Sequence, residues 1–113
     1  MQLIAETASR TAVRQRNAWR RIEFLDRKGR LWKMRSSWEI VTAKKMDELE
    51  LTWFYEPAVL LLSNGRRYVP DFFLVEWDSY LEVKGWPDNI EKFDLAVRDG
   101  FKIFLIDEVP IAY

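Results

Sequence analysis

The stretch Arg67–Trp86, RYVPDFFLVEWDSYLEVKGW, decides how the chain is read. Two apolar runs, VPDFFLV and YLEVK, flank a polar turn near Glu76-Trp77-Asp78. That spacing predicts two antiparallel strands. Three charges interrupt them: Asp71, Glu82 and Lys84. Side chains alternate along a strand, so Glu82 and Lys84 share one face while Leu81 and Val83 share the other. A turn centred on residues 76–77 sets Asp71 opposite Glu82, and one centred on 77–78 sets it opposite Lys84. Either register brings Asp71 to the same face. Pro70 belongs at a sheet edge or a bulge, and a bulge there would aim Asp71. Burying a charge is costly unless it is paired or binds a metal, so this cluster needs a reason.

Outward from this stretch, Asn64-Gly65 predicts a type I′ hairpin turn. LTWFYEP and AVLLL read as strands broken at Pro57. RSSWEIVTAKKMDELE predicts a helix from Ser36 whose buried stripe is Trp38, Val41, Met46 and Leu49. PDNIEKFDLAVRDG predicts a second helix, with Asp88 as N-cap, Glu91 at the capping-box position and Gly100 as its stop. FKIFLID closes as a buried strand. RIEFLDRKGRLWKM predicts a hairpin turning at Lys28-Gly29. Residues 2–21 predict a helix with Ile4, Ala5, Ala8, Ala12, Trp19 and Ile22 to one side and Arg10, Arg14 and Arg21 opposite. The order predicts an α+β or mixed α/β fold, a mixed central sheet flanked by helices. One domain over 1–113 is expected, with residues 1–22 as a basic arm and 31–107 as the core.

Composition narrows the chemistry. The 113 residues suit one domain with a real core, and 49% hydrophobic content with six Trp and seven Phe argues against disorder. There is no cysteine and no histidine. Disulfides, Cys or His zinc sites, thiol nucleophiles and His-based triads are excluded. Catalysis must run on carboxylates, Lys, hydroxyls and metals that prefer oxygen. No run is long and apolar enough to span a membrane, and a cytoplasmic location is expected. Net charge is zero, but it is unevenly spread. Residues 1–35 hold ten Lys or Arg against three acids, and residues 36–113 hold eight against fifteen. Such a split reads as a basic arm on an acidic body. The arm could contact phosphates, lie as a solvated helix face, or dock on a partner subunit.

Two carboxylates on rigid strands suit a hard cation such as Mg²⁺ or Mn²⁺. Such a cation polarises a phosphoryl oxygen and lowers the pKa of bound water. A neighbouring ammonium can hold that water or stabilise the charge that develops. Phosphodiester hydrolysis requires these parts. The other reading of the same residues is a cross-strand ion pair on a solvated face. For Glu39, the alternative is a capping box, because Ser36-x-x-Glu39 places Glu at N3.

VPDF…LEVKG resembles the core of the PD-(D/E)xK nuclease superfamily. RSSWE opening a helix, followed by TWFYEP, resembles the phage endonuclease I group of junction-resolving enzymes. That group has an Arg-Ser-x-x-Glu helix start, a Tyr-Glu strand, a Pro-Asp-Phe strand and a Glu-x-Lys-Gly strand. The resemblance covers roughly residues 34–95. It implies a restriction-endonuclease-like core, with Asp71 and Glu82 as main metal ligands and Lys84 as the catalytic lysine. Glu39 would supply the helix-borne acid, and the Val83 carbonyl would join the metal shell. One or two Mg²⁺ or Mn²⁺ ions per site are implied. So is DNA, branched or duplex, as substrate for a homodimer that leaves 5′-phosphate and 3′-hydroxyl ends. Arg10, Arg14, Arg21, Arg35, Arg66 and Arg67 are the candidate phosphate contacts. A nicking or site-specific endonuclease module and a non-catalytic binding module are the competing functions.

Overall fold

The computed structural model describes residues 21–83 and 87–107. The predicted helix over 2–21, with Arg10 and Arg14, lies outside the described residues apart from Arg21, and so do Lys84, Gly85 and Trp86. The chain forms two compact units, Met1–Ser37 and Trp38–Tyr113.

In the first unit, β1 (Ile22–Leu25) and β2 (Leu31–Met34) form the expected antiparallel hairpin. Gly29 (φ 83°) closes its loop, and its N–H donates to the Asp26 carbonyl. The Asp26 carboxylate is buried and accepts from the amides of Lys28 and Arg30, from Arg30 Nε and from Trp32 Nε1. Burial alone would raise its pKa, but these hydrogen bonds outweigh that effect and hold it below the usual value.

The second unit is α+β. Helix α1 (Ser37–Glu48) precedes β3 (Trp53–Tyr55), β4 (Leu60–Leu61), β5 (Arg67–Tyr68), β6 (Phe72–Leu74) and β7 (Ser79–Val83). Helix α2 (Pro87–Arg98) and β8 (Ile103–Ile106) follow. The main sheet is mixed, in the order β8-β7-β6-β3, with β8 parallel to β7 and the other pairs antiparallel. Strands β4 and β5 form a separate two-stranded ribbon.

Alternation along the strands separates two faces. Tyr80 and Ile103 share the face on which α2 packs, with Leu60, Leu62, Tyr68 and Ala96 completing that core. Trp53 and Tyr55 share the face bonded to α1: Trp53 Nε1 donates to Asp47 Oδ1 at 2.9 Å, and Tyr55 Oη to Glu39 Oε1 at 2.8 Å. Phe72 is fully buried there, with both rings 5.5 Å from its own.

Several expectations shift. The run RYVPDFFLV is not one strand. It breaks at Val69-Pro70-Asp71, so β5 joins the ribbon and β6 the main sheet. Asn64-Gly65 is not a type I′ turn, because only Gly65 (φ 86°) takes the left-handed conformation. Leu62 pairs with Arg66 around a three-residue loop, a type I turn closed by a glycine bulge, with Asn64 Oδ1 accepting from the Arg66 amide. The buried stripe of α1 is Glu39, Thr42, Ala43 and Met46, while Trp38 is 37% and Leu49 57% exposed. Helix α2 begins at Pro87, which suits the first helical position, so Asp88 falls inside the first turn rather than at the cap. Gly100 (φ 97°) ends it as expected, with Phe101 N–H bonded to the Ala96 carbonyl and Gly100 N–H to that of Val97.

Phe72→Ala removes the ring that Trp53 and Tyr55 pack against. It should lower stability by about 3–5 kcal/mol, measured by urea unfolding. A loss under about 1 kcal/mol would mean that this face is not the packed core it is described as.

Candidate active site

The β6–β7 register pairs Phe72 with Leu81, Phe73 with Tyr80 and Leu74 with Ser79. Its next step sets Asp71 opposite Glu82, as a turn centred on 76–77 requires. Asp71 itself stands in a bend just before β6 rather than in the strand. Two bonds fix it there. Its carbonyl accepts from the Glu56 amide at 2.7 Å, and its Oδ2 accepts from the Val83 amide at 2.7 Å. The side chain thus folds over the end of the sheet to the last described residue of β7.

Three carboxylates meet at this end. Glu82 reaches it from the face shared with Tyr80, and Glu39 from the helix on the other face. Asp71 hydrogen-bonds to Glu39 and feels the charge of Glu82. All three are buried, at 5% exposure for Glu39, 3% for Asp71 and 2% for Glu82. Burial, then Glu82, then Glu39 push the Asp71 pKa up to about 8, against a smaller opposing effect of the Val83 amide. A proton on Asp71 therefore satisfies part of the electrostatic demand of the cluster.

Two tyrosines complete the cluster, and the sequence reading missed both. Tyr55 donates to Glu39 Oε1, and Tyr68 donates to Glu82 Oε1, each at 2.8 Å. Burial and the charges of Glu82 and Asp71 drive the Tyr68 pKa well above the usual phenol value, so it stays a donor. Tyr55 is the tyrosine of the Tyr-Glu motif, which carried no role for it, and Tyr68 stands at no spacing that marks it. Tyr68 belongs to the ribbon, and only the packed fold brings it to Glu82.

The donor set fits a hard divalent cation: carboxylate oxygens from separate segments, buried and mutually repelling. Among the described residues, no group of three or more acidic side chains stands ready to hold a metal as oriented. In that arrangement Asp71 shares a hydrogen bond with Glu39.

The predicted phosphate contacts scatter. Arg21 donates to the Lys33 carbonyl at 3.3 Å within the first unit, and Arg35 is exposed in that unit. Arg66 and Arg67 are exposed at the ribbon tip. Arg66 lines a groove of about 370 Å³ with Asn64, Lys92 and Arg98, where Glu91 and Asp94 offset the positive charge. None of the three buried acids lines it. Glu56 is half-buried and left-handed (φ 47°), and its backbone amide anchors Asp71.

No protein-family model, curated protein or solved structure matches the chain. No described helix is long and apolar enough to cross a membrane.

The raised pKa of Asp71 has a defined sign. The folded protein keeps a proton that the unfolded chain releases near pH 4. Its contribution to stability is complete below that pH and is lost as pH rises through about 8. The limiting slope is about 1.4 kcal/mol per pH unit. Urea melts in EDTA from pH 5 to 8 should show this loss, and Asp71→Asn should flatten it. Parallel slopes in the two proteins would remove Asp71 as the titrating group.

Proposed function

We propose that the chain is a metal-dependent nuclease that hydrolyses phosphodiester bonds in DNA. The observation that carries this reading is the convergence of Glu39, Asp71 and Glu82, acids from three segments, at one buried end of a mixed sheet. Burying mutually repelling acids opposes folding. A divalent cation offsets the repulsion and gives the arrangement a use. Asp71 and Glu82 would hold the ion, with the Val83 carbonyl, and Glu39 would complete its shell or serve a second ion. Mg²⁺ or Mn²⁺ bound there would polarise a phosphoryl oxygen and acidify a water.

The chain's own groups supply the remaining roles. Lys84, assigned by the resemblance to the PD-(D/E)xK superfamily, orients the attacking water and steadies the charge on phosphorus. Water oxygen attacks in line, the P–O3′ bond breaks, and 5′-phosphate and 3′-hydroxyl ends result. The fold assignment is a restriction-endonuclease-like core, supported by the order of the acid-bearing segments: α1 with Glu39, the bend at Asp71 leading into β6, and β7 with Glu82. Branched DNA as preferred substrate, a homodimer making paired cuts, and a cytoplasmic setting follow from the same resemblance.

The test is incubation with a four-way junction and a matched linear duplex, in Mg²⁺, Mn²⁺ or EDTA. Cleavage should require metal and fall at least about a hundredfold in Asp71→Ala, Glu82→Ala and Lys84→Ala. Cuts confined to the branch would support the resolvase assignment, and equal cutting of both substrates would keep the chemistry but discard it. Metal-independent cleavage would overturn the proposal. Because Asp71 must lose its proton to ligate, Mn²⁺ affinity should tighten by up to about tenfold per pH unit from pH 6 towards 8, then level. Calorimetry reads this directly.

A further inference from the structure

Two of the three site acids are gripped in the same way by residues from unrelated places. Tyr55 is the last residue of β3, the edge strand of the main sheet, and Tyr68 the last of β5 in the ribbon. Each phenol donates to one glutamate oxygen at 2.8 Å, within a buried environment. A buried tyrosine needs an acceptor, and any backbone carbonyl would serve. Here the acceptor is each time a carboxylate of the site.

The chemistry of the donor matters. A phenol offers one neutral O–H. It fixes the rotation of a carboxylate without cancelling its charge. Lys or Arg in the same place would orient the acid but also neutralise it, and would compete with an incoming cation. The third acid follows the same rule, since the backbone N–H of Val83 holds Asp71. Neutral donors therefore grip each of the three acids.

We propose that Tyr55 and Tyr68 are positioning residues that hold Glu39 and Glu82 in the orientation needed to bind a divalent cation. This rests on the metal reading of the site. The phenols touch neither substrate nor reacting atoms. They act by setting where the glutamate oxygens point, and the ribbon, through Tyr68, becomes part of the metal site's support.

The test is calorimetric titration of Mn²⁺ into the full chain as wild type, Tyr55→Phe, Tyr68→Phe and Asp71→Asn, with melting in EDTA as the check on folding. Removing an outer partner of a metal ligand weakens affinity about 10–100-fold. The Phe variants should show that loss while still unfolding cooperatively in EDTA, at a somewhat lower temperature because a buried carboxylate has lost a donor. Raising Mn²⁺ by the same factor should restore their cleavage, but not that of Asp71→Asn. Unchanged Mn²⁺ affinity in both Phe variants would overturn the proposal and leave the metal site standing. No Mn²⁺ binding by the wild type would overturn the metal reading and this proposal with it. If one Phe variant does not fold, the other decides. If neither folds, the phenols are structural pins and the proposal falls.

Discussion

The hydrogen bond from the Val83 amide to Asp71 Oδ2 is the constraint on which the rest of the site depends. Asp71 follows Pro70 in a segment that leaves one sheet and enters another. Asp71 itself stands in a bend just outside β6. The Val83 bond ties its side chain to β7, and the Glu56 amide ties its carbonyl to the end of β3. Two bonds from two strands thus fix one residue, and both Glu39 and Glu82 are measured against it. A buried carboxylate that lost the Val83 amide would lose a backbone donor that opposes its raised pKa.

Much of the fold was legible because it is local. The hairpins at Gly29 and Gly65 and the stop at Gly100 follow from glycines that take left-handed backbone, and Asp78 does the same in the turn at 75–78. The register that sets Asp71 against Glu82 was one of two open readings, decided only by where the turn settled. The break at Pro70 was half legible. A proline there forbids a central strand, but the sequence could not say that the two pieces would join different sheets. The ribbon of β4 and β5 has only two residues per strand, too few for a pattern.

The wheel of α1 was misread for a physical reason. Trp38, Val41 and Leu49 are apolar residues at helical spacing, so hydropathy points the helix towards them. The folded helix turns Glu39, Thr42, Ala43 and Met46 inward instead. Ala43 is fully buried, and its small side chain permits close approach. Glu39 then reaches Tyr55 and Asp71, a gain that hydropathy scores as a penalty. Such failures are expected where a charged group is buried against its preference. The same logic hid the role of Tyr68, which reads as an ordinary strand aromatic until its partner is known, and left Tyr55 as part of a motif with no partner assigned.

The site lies where the chain accepts its worst local choices. Glu56 holds a left-handed backbone directly before Pro57, where a residue with a side chain is strained. Its amide is nevertheless placed to bind the Asp71 carbonyl. Three acids are buried within reach of one another, and one of them carries its pKa far from the ordinary value. A core chosen for stability alone would replace such acids with apolar residues of similar size. Phe72, packed between two rings next to Asp71, shows that the fold has ample apolar material at this point. Strain and buried charge in the same few residues, supported by a well-packed aromatic shelf, are the observations on which the proposed metal site rests.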